Sequence, residues 1–318
     1  MNKKNYIILL MLFTIITNTT GCSNSTNKVN NDWEELLNSN NNYRNSINMY
    51  IPIDSNKDVY TSDNIVLDYS NTSEGYFMIK YIGNTDNRIK ILVEYPNNIV
   101  YNYDISRDLE YNTIPLTLGN GIYKINVYQQ LIDNKYITID SKVLDVKIDN
   151  EMGPFLYSNQ YVNFDKNTLG ISIAEKLYME TNTDIEFIDM VYDYVQSHLD
   201  YDIDKAKQIQ DGKLVGYLPN INDIYTSGKG ICFDYASMMV YMLRSQGIPT
   251  KLNIGYVNDV YHAWISVYTH EQGWIDNIIE FNGTKWSYID PTFADTSTNY
   301  ELKEYIGEGI NYVEKYIY

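Results

Sequence analysis

Cys232 stands where Ser227-Gly-Lys-Gly230 gives way to an apolar face of helical period, Tyr235, Ala236, Met239 and Leu243, which stops at Gln246-Gly247 with Pro249 beyond. The pattern predicts a helix with the thiol in its first turn. Unpaired N–H groups and the positive end of the dipole stabilise a thiolate there, and they can donate to the oxyanion formed when that thiolate attacks a carbonyl. Thirty residues on, Tyr261-His-Ala-Trp-Ile-Ser-Val alternates as a strand and puts His262, Trp264 and Ser266 on one face. Twenty-eight residues later, Lys285-Trp-Ser-Tyr-Ile-Asp-Pro puts Trp286, Tyr288 and Asp290 on one face of another strand. If these two strands are antiparallel neighbours, joined through Glu271 to Gly273 and Asn282-Gly283, Asp290 lies beside His262. A carboxylate then orients an imidazole, the imidazole takes the thiol proton, and the thiolate attacks. The competing readings of Cys232 are a small buried hydrophobe or a disulfide with Cys22.

These residues resemble the transglutaminase-like superfamily, which has a papain-like α+β core. The matching positions are Gly230-x-Cys232, Tyr235-Ala236, Leu243, Gly247-Ile248-Pro249, His262-Ala263-Trp264 and Trp286-x-x-x-Asp290-Pro291-Thr292, within roughly 160–300. The resemblance implies that Cys232 is the nucleophile, His262 the general base and acid, and Asp290 the orienting carboxylate. It also implies acyl transfer through a Cys thioester on protein or peptide amides, ending in cross-linking or hydrolysis, with no cofactor. The second oxyanion donor of the family lies upstream of the cysteine, and Gln196, Gln208 and Gln210 are the candidates here. Trp264, Trp274, Trp286 and Tyr288 are available to line an acceptor groove, or to fill the core.

The elements that must position these residues follow from periodicity. Ile185, Ile188, Val191, Tyr192, Val195 and Leu199 form one stripe of a helix that Thr183 or Asp184 can cap. Between about Tyr60 and Ile148, short alternating runs such as Ile89–Tyr95 and Gly121–Tyr128 are separated by turn residues. They predict an antiparallel β-sandwich of immunoglobulin-like type, a spacer or docking module. The expected fold is therefore α+β, with a sandwich at 59–150 and a papain-like core at 151–318.

The N-terminus reads as a targeting segment: Lys3 and Lys4, the apolar run Tyr6 to Ile16, then Thr19-Thr20-Gly21-Cys22. It resembles the lipobox of bacterial lipoproteins, although Thr19 replaces the usual aliphatic residue. The resemblance implies cleavage of a signal peptide, 1–21, and a lipid on Cys22. An Asn- and Ser-rich tether, 22–58, would then hold the protein at the extracytoplasmic face of the cell membrane. Losing Lys3 and Lys4 moves the formal charge from −17 to −19. With 24 Lys and Arg against 41 Asp and Glu, the balance argues against a nucleic-acid partner and against an anionic lipid surface.

The 33 tyrosines read as compositional bias and receive no chemical role. Asp200-Tyr-Asp-Ile-Asp204 has the opening of a calcium loop, but Lys205 and Asp211 replace the required Gly and Glu, so no metal is expected. His198 is expected at helix-terminal carbonyls, and His270 in a solvated turn. The alternative to an enzyme is a catalytically silent surface lipoprotein that uses the same fold as a binding scaffold.

Overall fold

The computed structural model describes residues 43–281 apart from 46, 48, 258 and 259, together with 286–288 and 312–318. The expected signal segment, Cys22 and Asp290 lie outside the described residues.

Eight strands come first: β1 (Val59–Thr61), β2 (Ile65–Asp68), β3 (Tyr76–Tyr81), β4 (Ile89–Glu94), β5 (Val100–Ile105), β6 (Asn112–Pro115), β7 (Gly121–Ile132) and β8 (Lys135–Val146). They form two antiparallel sheets of four, in the orders β1-β2-β3-β6 and β5-β4-β7-β8. Period-two patterning explains the pairing. In β4 the side chains of Ile89, Ile91 and Val93 are buried while those between them are partly exposed. Each such side chain contributes roughly 1.5–3 kcal/mol on full burial.

Five helices follow: α1 (Ile171–Met179), α2 (Asp184–His198), α3 (Ile203–Gln210), α4 (Ile221–Ser227) and α5 (Cys232–Ser245). Thr183 caps α2 reciprocally: its Oγ1 accepts from the Glu186 N–H at 3.2 Å while the Glu186 carboxylate accepts from the Thr183 N–H at 3.3 Å. The predicted stripe of Ile188, Val191, Tyr192 and Val195 is buried. Every residue from Asp234 to Ser245 of α5 is buried as well, as expected of a helix enclosed on all sides. Gly247 ends it with φ +75°, a conformation that glycine adopts without steric cost.

α5 packs on a sheet of order β14-β13-β12-β11-β15, built from β11 (Thr250–Val257), β12 (Val260–Thr269), β13 (Gly273–Phe281), β14 (Trp286–Tyr288) and β15 (Tyr312–Ile317). A two-stranded parallel sheet pairs β9 (Asp200–Tyr201) with β10 (Lys229–Gly230).

The two halves are tied at several points. The Ile317 N–H donates to the Tyr101 hydroxyl at 3.0 Å, and the Asp104 N–H donates to Gln160 Oε1 at 3.2 Å. From residue 43 onward the stretch expected as a flexible tether is docked. Arg44 donates to Asp184 Oδ1 at 2.8 Å and stacks 3.9 Å from the Tyr178 ring centroid, so a charge and an apolar face both hold it. At the other end of α5, Arg244 is fully buried and makes no ion pair with an Asp or Glu among the described residues. Its guanidinium donates to the carbonyls of Thr250 (2.9 and 2.7 Å), Tyr157 (2.9 Å) and Tyr318 (2.8 Å).

Candidate active site

The chain enters α5 through β10, whose Gly230 is the register partner of Tyr201 in β9. A Cβ on Gly230 would lie 2.7 Å from the Cβ of Asp234, so any larger residue displaces the first helical turn. Asp234 is fully buried and holds that turn in place. Its Oδ2 accepts from the Ile231 N–H and from Lys205 Nζ, both at 2.9 Å, and its Oδ1 accepts from the Tyr217 hydroxyl at 2.5 Å. A buried carboxylate this fully paired offsets its desolvation, and at the third helical position it also faces the positive dipole end. Asp234 and Tyr217 carry no assignment from the sequence, where Lys205 enters only as the residue that breaks the calcium-loop pattern. An acidic residue three positions after the helix cap was the available signal.

Cys232 is free and half-buried. Burial pushes its thiol up to about 11, opposed by the backbone N–H groups of Ala263 and Phe233, which favour the thiolate. The helix start was expected to give a low thiol pKa. Desolvation outweighs the backbone N–H donors, and the direction is reversed.

His262 lies on β12 opposite Gly255 of β11. Burial pushes its imidazole down to about 4, and its Nε2 is buried without a hydrogen-bond partner among the described residues. Cys232 and His262 line the same cavity, of about 390 Å³. At neutral pH the pair rests as thiol and neutral imidazole rather than as an ion pair. Iodoacetamide labelling of Cys232 should therefore accelerate about tenfold per pH unit through neutrality and toward pH 11, following the thiolate fraction. A plateau below pH 8 would show instead a preformed thiolate–imidazolium pair.

The structure does not make β12 and β14 neighbours. Residues 273–281 were read as part of their connection, yet they form β13, which pairs with both. The Asp276-Asn277 pair interrupts apolar alternation there and hides the strand from the sequence.

The three glutamines considered as oxyanion donors do not line the cavity. Gln196 donates to the Tyr192 hydroxyl, and Gln208 and Gln210 are exposed on α3. Tyr201 is closer to the chemistry, since burial first and then the neighbouring Cys232 raise its phenol pKa.

Trp264 is core: it is 1% exposed, and its indole N–H donates at 3.3 Å to Asn253 Oδ1, in the amide orientation that also accepts from Ser266. Trp274 lies under Lys251, with Nζ 4.0 Å from its ring centroid. Asp202, from the apparent calcium loop, caps α3 by accepting from the Lys205 N–H at 2.8 Å. His198 Nε2 meets the Tyr225 carbonyl at 2.9 Å, and His270 is exposed beside Asp184.

Residues 171–277 match the family described as the transglutaminase-like superfamily, a span that includes Cys232 and His262 and ends before Asp290. Eleven chains of solved structures match. One is a crystal structure from Cytophaga hutchinsonii described as a candidate cysteine protease, 16% identical with a TM-score of 0.32, covering 63% of this chain and 77% of that one. No curated protein matches the sequence.

Proposed function

We infer, from the transglutaminase-like core at residues 171–277, that this protein is a thiol enzyme that transfers acyl groups from protein or peptide amides through a thioester on Cys232. The observation that carries this reading is the single cavity lined by both Cys232 and His262, with the thiol at a helix start.

Because both groups rest neutral, the thiolate is made at the moment of attack. The Cys232 proton passes to His262, and sulfur adds to the amide carbon. The imidazole is the basic group that lines the cavity with the thiol, and it accepts that proton. The resulting oxyanion lies within reach of the N–H donors at the start of α5. On collapse the C–N bond breaks, His262 returns the proton to the leaving amine, and the thioester remains. Water then regenerates a carboxylate, or a second amine forms a new amide. Asp290 is assigned to orient the imidazole.

We read residues 59–150 as an immunoglobulin-like spacer, which the strand order of the two sheets supports. The lipobox-like Gly21-Cys22 supports anchoring at the extracytoplasmic membrane face, with an envelope protein or peptide as substrate.

One observation favours the alternative, a binding scaffold: the raised thiol and the lowered imidazole do not form an ion pair at rest. The two readings separate in an incubation with cell-envelope extract followed by mass spectrometry of the Cys232 peptide. The enzyme reading expects an acyl adduct that hydroxylamine removes. An unmodified Cys232 throughout a time course favours the scaffold.

A further inference from the structure

Aromatic rings wall the cavity beside Cys232 and His262, and they converge from distant parts of the chain. Tyr161 precedes α1, Tyr217 follows α3, Phe233 is in α5, Tyr261 precedes His262, and Tyr316 and Tyr318 arrive with β15. Tyr161 and Tyr318 are stacked with centroids 3.6 Å apart and planes 17° from parallel.

The hydroxyls of two of these tyrosines are already committed: that of Tyr161 donates to the Asn102 carbonyl at 3.0 Å, and that of Tyr217 donates to Asp234 at 2.5 Å. What these residues present to the cavity is therefore ring surface. Ile209 and Leu214 add aliphatic surface. None of the described lining residues is Asp, Glu, Lys or Arg, and His262 is neutral at pH 7 because its pKa is about 4. A charged group entering here would give up water and meet no counter-ion among the described lining residues. The volume of about 390 Å³ lies within the range of about 300–1,000 Å³ typical of ligand pockets.

We propose that this cavity is a specificity pocket for an uncharged aromatic or large aliphatic side chain next to the amide that Cys232 attacks. The inference rests on the acyl-transfer reading, and the experiment keeps the two apart.

Matched chloroacetamides bearing a benzyl, carboxymethyl or aminoethyl group alkylate Cys232: an S–C bond forms and chloride leaves. Each rate, read by mass spectrometry at Cys232, is divided by that reagent's rate with a small free thiol. The benzyl reagent should lead both charged ones by on the order of 10²-fold. Leu214 is half-buried on an exposed connection, so Leu214→Glu should fold and should raise the relative rate of the aminoethyl reagent at least tenfold. Equal normalised rates in the wild type, or a charged reagent ahead, would overturn the pocket.

Peptide amides with Phe or Glu beside the scissile bond are assayed in parallel. Turnover without preference leaves the enzyme reading standing and removes the pocket. Aromatic preference in labelling with no amide turned over keeps the pocket and removes the acyl-transfer reading.

Discussion

Cys232→Ser should fold as the wild type does and lose amide turnover by a factor on the order of 10⁴ or more. The backbone N–H groups of Ala263 and Phe233 act on the sulfur by favouring its thiolate, and a hydroxyl oxygen can accept from the same donors. No polar group is stranded by the exchange, so the midpoint of denaturation should move by less than about 1 kcal/mol. The chemistry does not survive it. A serine hydroxyl gives up its proton far less readily than a thiol, and the neighbouring imidazole, held near 4 by burial, is a weak base for the task. Melting curves and turnover of a peptide or glutamine-donor substrate, measured on the same two proteins, decide the matter. A destabilised variant with wild-type turnover per folded molecule would remove Cys232 from the chemistry and make it a packing residue.

Arg244→Met should destabilise the fold by about 2–4 kcal/mol. Methionine keeps most of the volume and removes the cost of burying a charge, a gain that can favour apolar replacements of buried ions. Here the acceptors decide the balance. The Thr250 carbonyl receives two guanidinium bonds and the Tyr157 carbonyl one, whereas Tyr318 O retains the Leu252 N–H at 2.8 Å. The buried Thr250 carbonyl and the part-buried Tyr157 carbonyl thus lose their Arg244 donors, at roughly 1–3 kcal/mol each. Urea denaturation with an unchanged slope and a lower midpoint is the expected result. A variant as stable as the wild type would mean that desolvation of the guanidinium had cancelled its three partners.

Parts of the fold that follow from local periodicity were legible in the sequence. The start of α5 at Cys232, its stop at Gly247, the buried stripe of α2 and the alternation of β12 each depend on residues within a turn or two of one another. The pairing of Asp234 with Lys205 could not be read that way, because it joins residues 29 apart on separate helices. β15 was missed as well, and with it the reason for two tyrosines at 316 and 318. Tyrosine was discounted because it is abundant. Six aromatic residues reach one cavity from positions 161 to 318, and they share no period that a local pattern could reveal. The low imidazole pKa and high thiol pKa are likewise products of enclosure, whereas helix position alone pointed the opposite way for sulfur.

The placement of β15 also sets the order in which the site can be completed. Ribosomes make a chain from the N-terminus, and Cys232 and His262 are both polymerised 50 or more residues before Tyr312. Until 312–318 has been made and has paired with β11, Arg244 lacks one acceptor and the cavity lacks two aromatic walls. A nascent chain that has passed His262 but not yet reached Tyr312 thus holds its reactive pair in an unfinished, wetter pocket, and the site is completed only once 312–318 has been made.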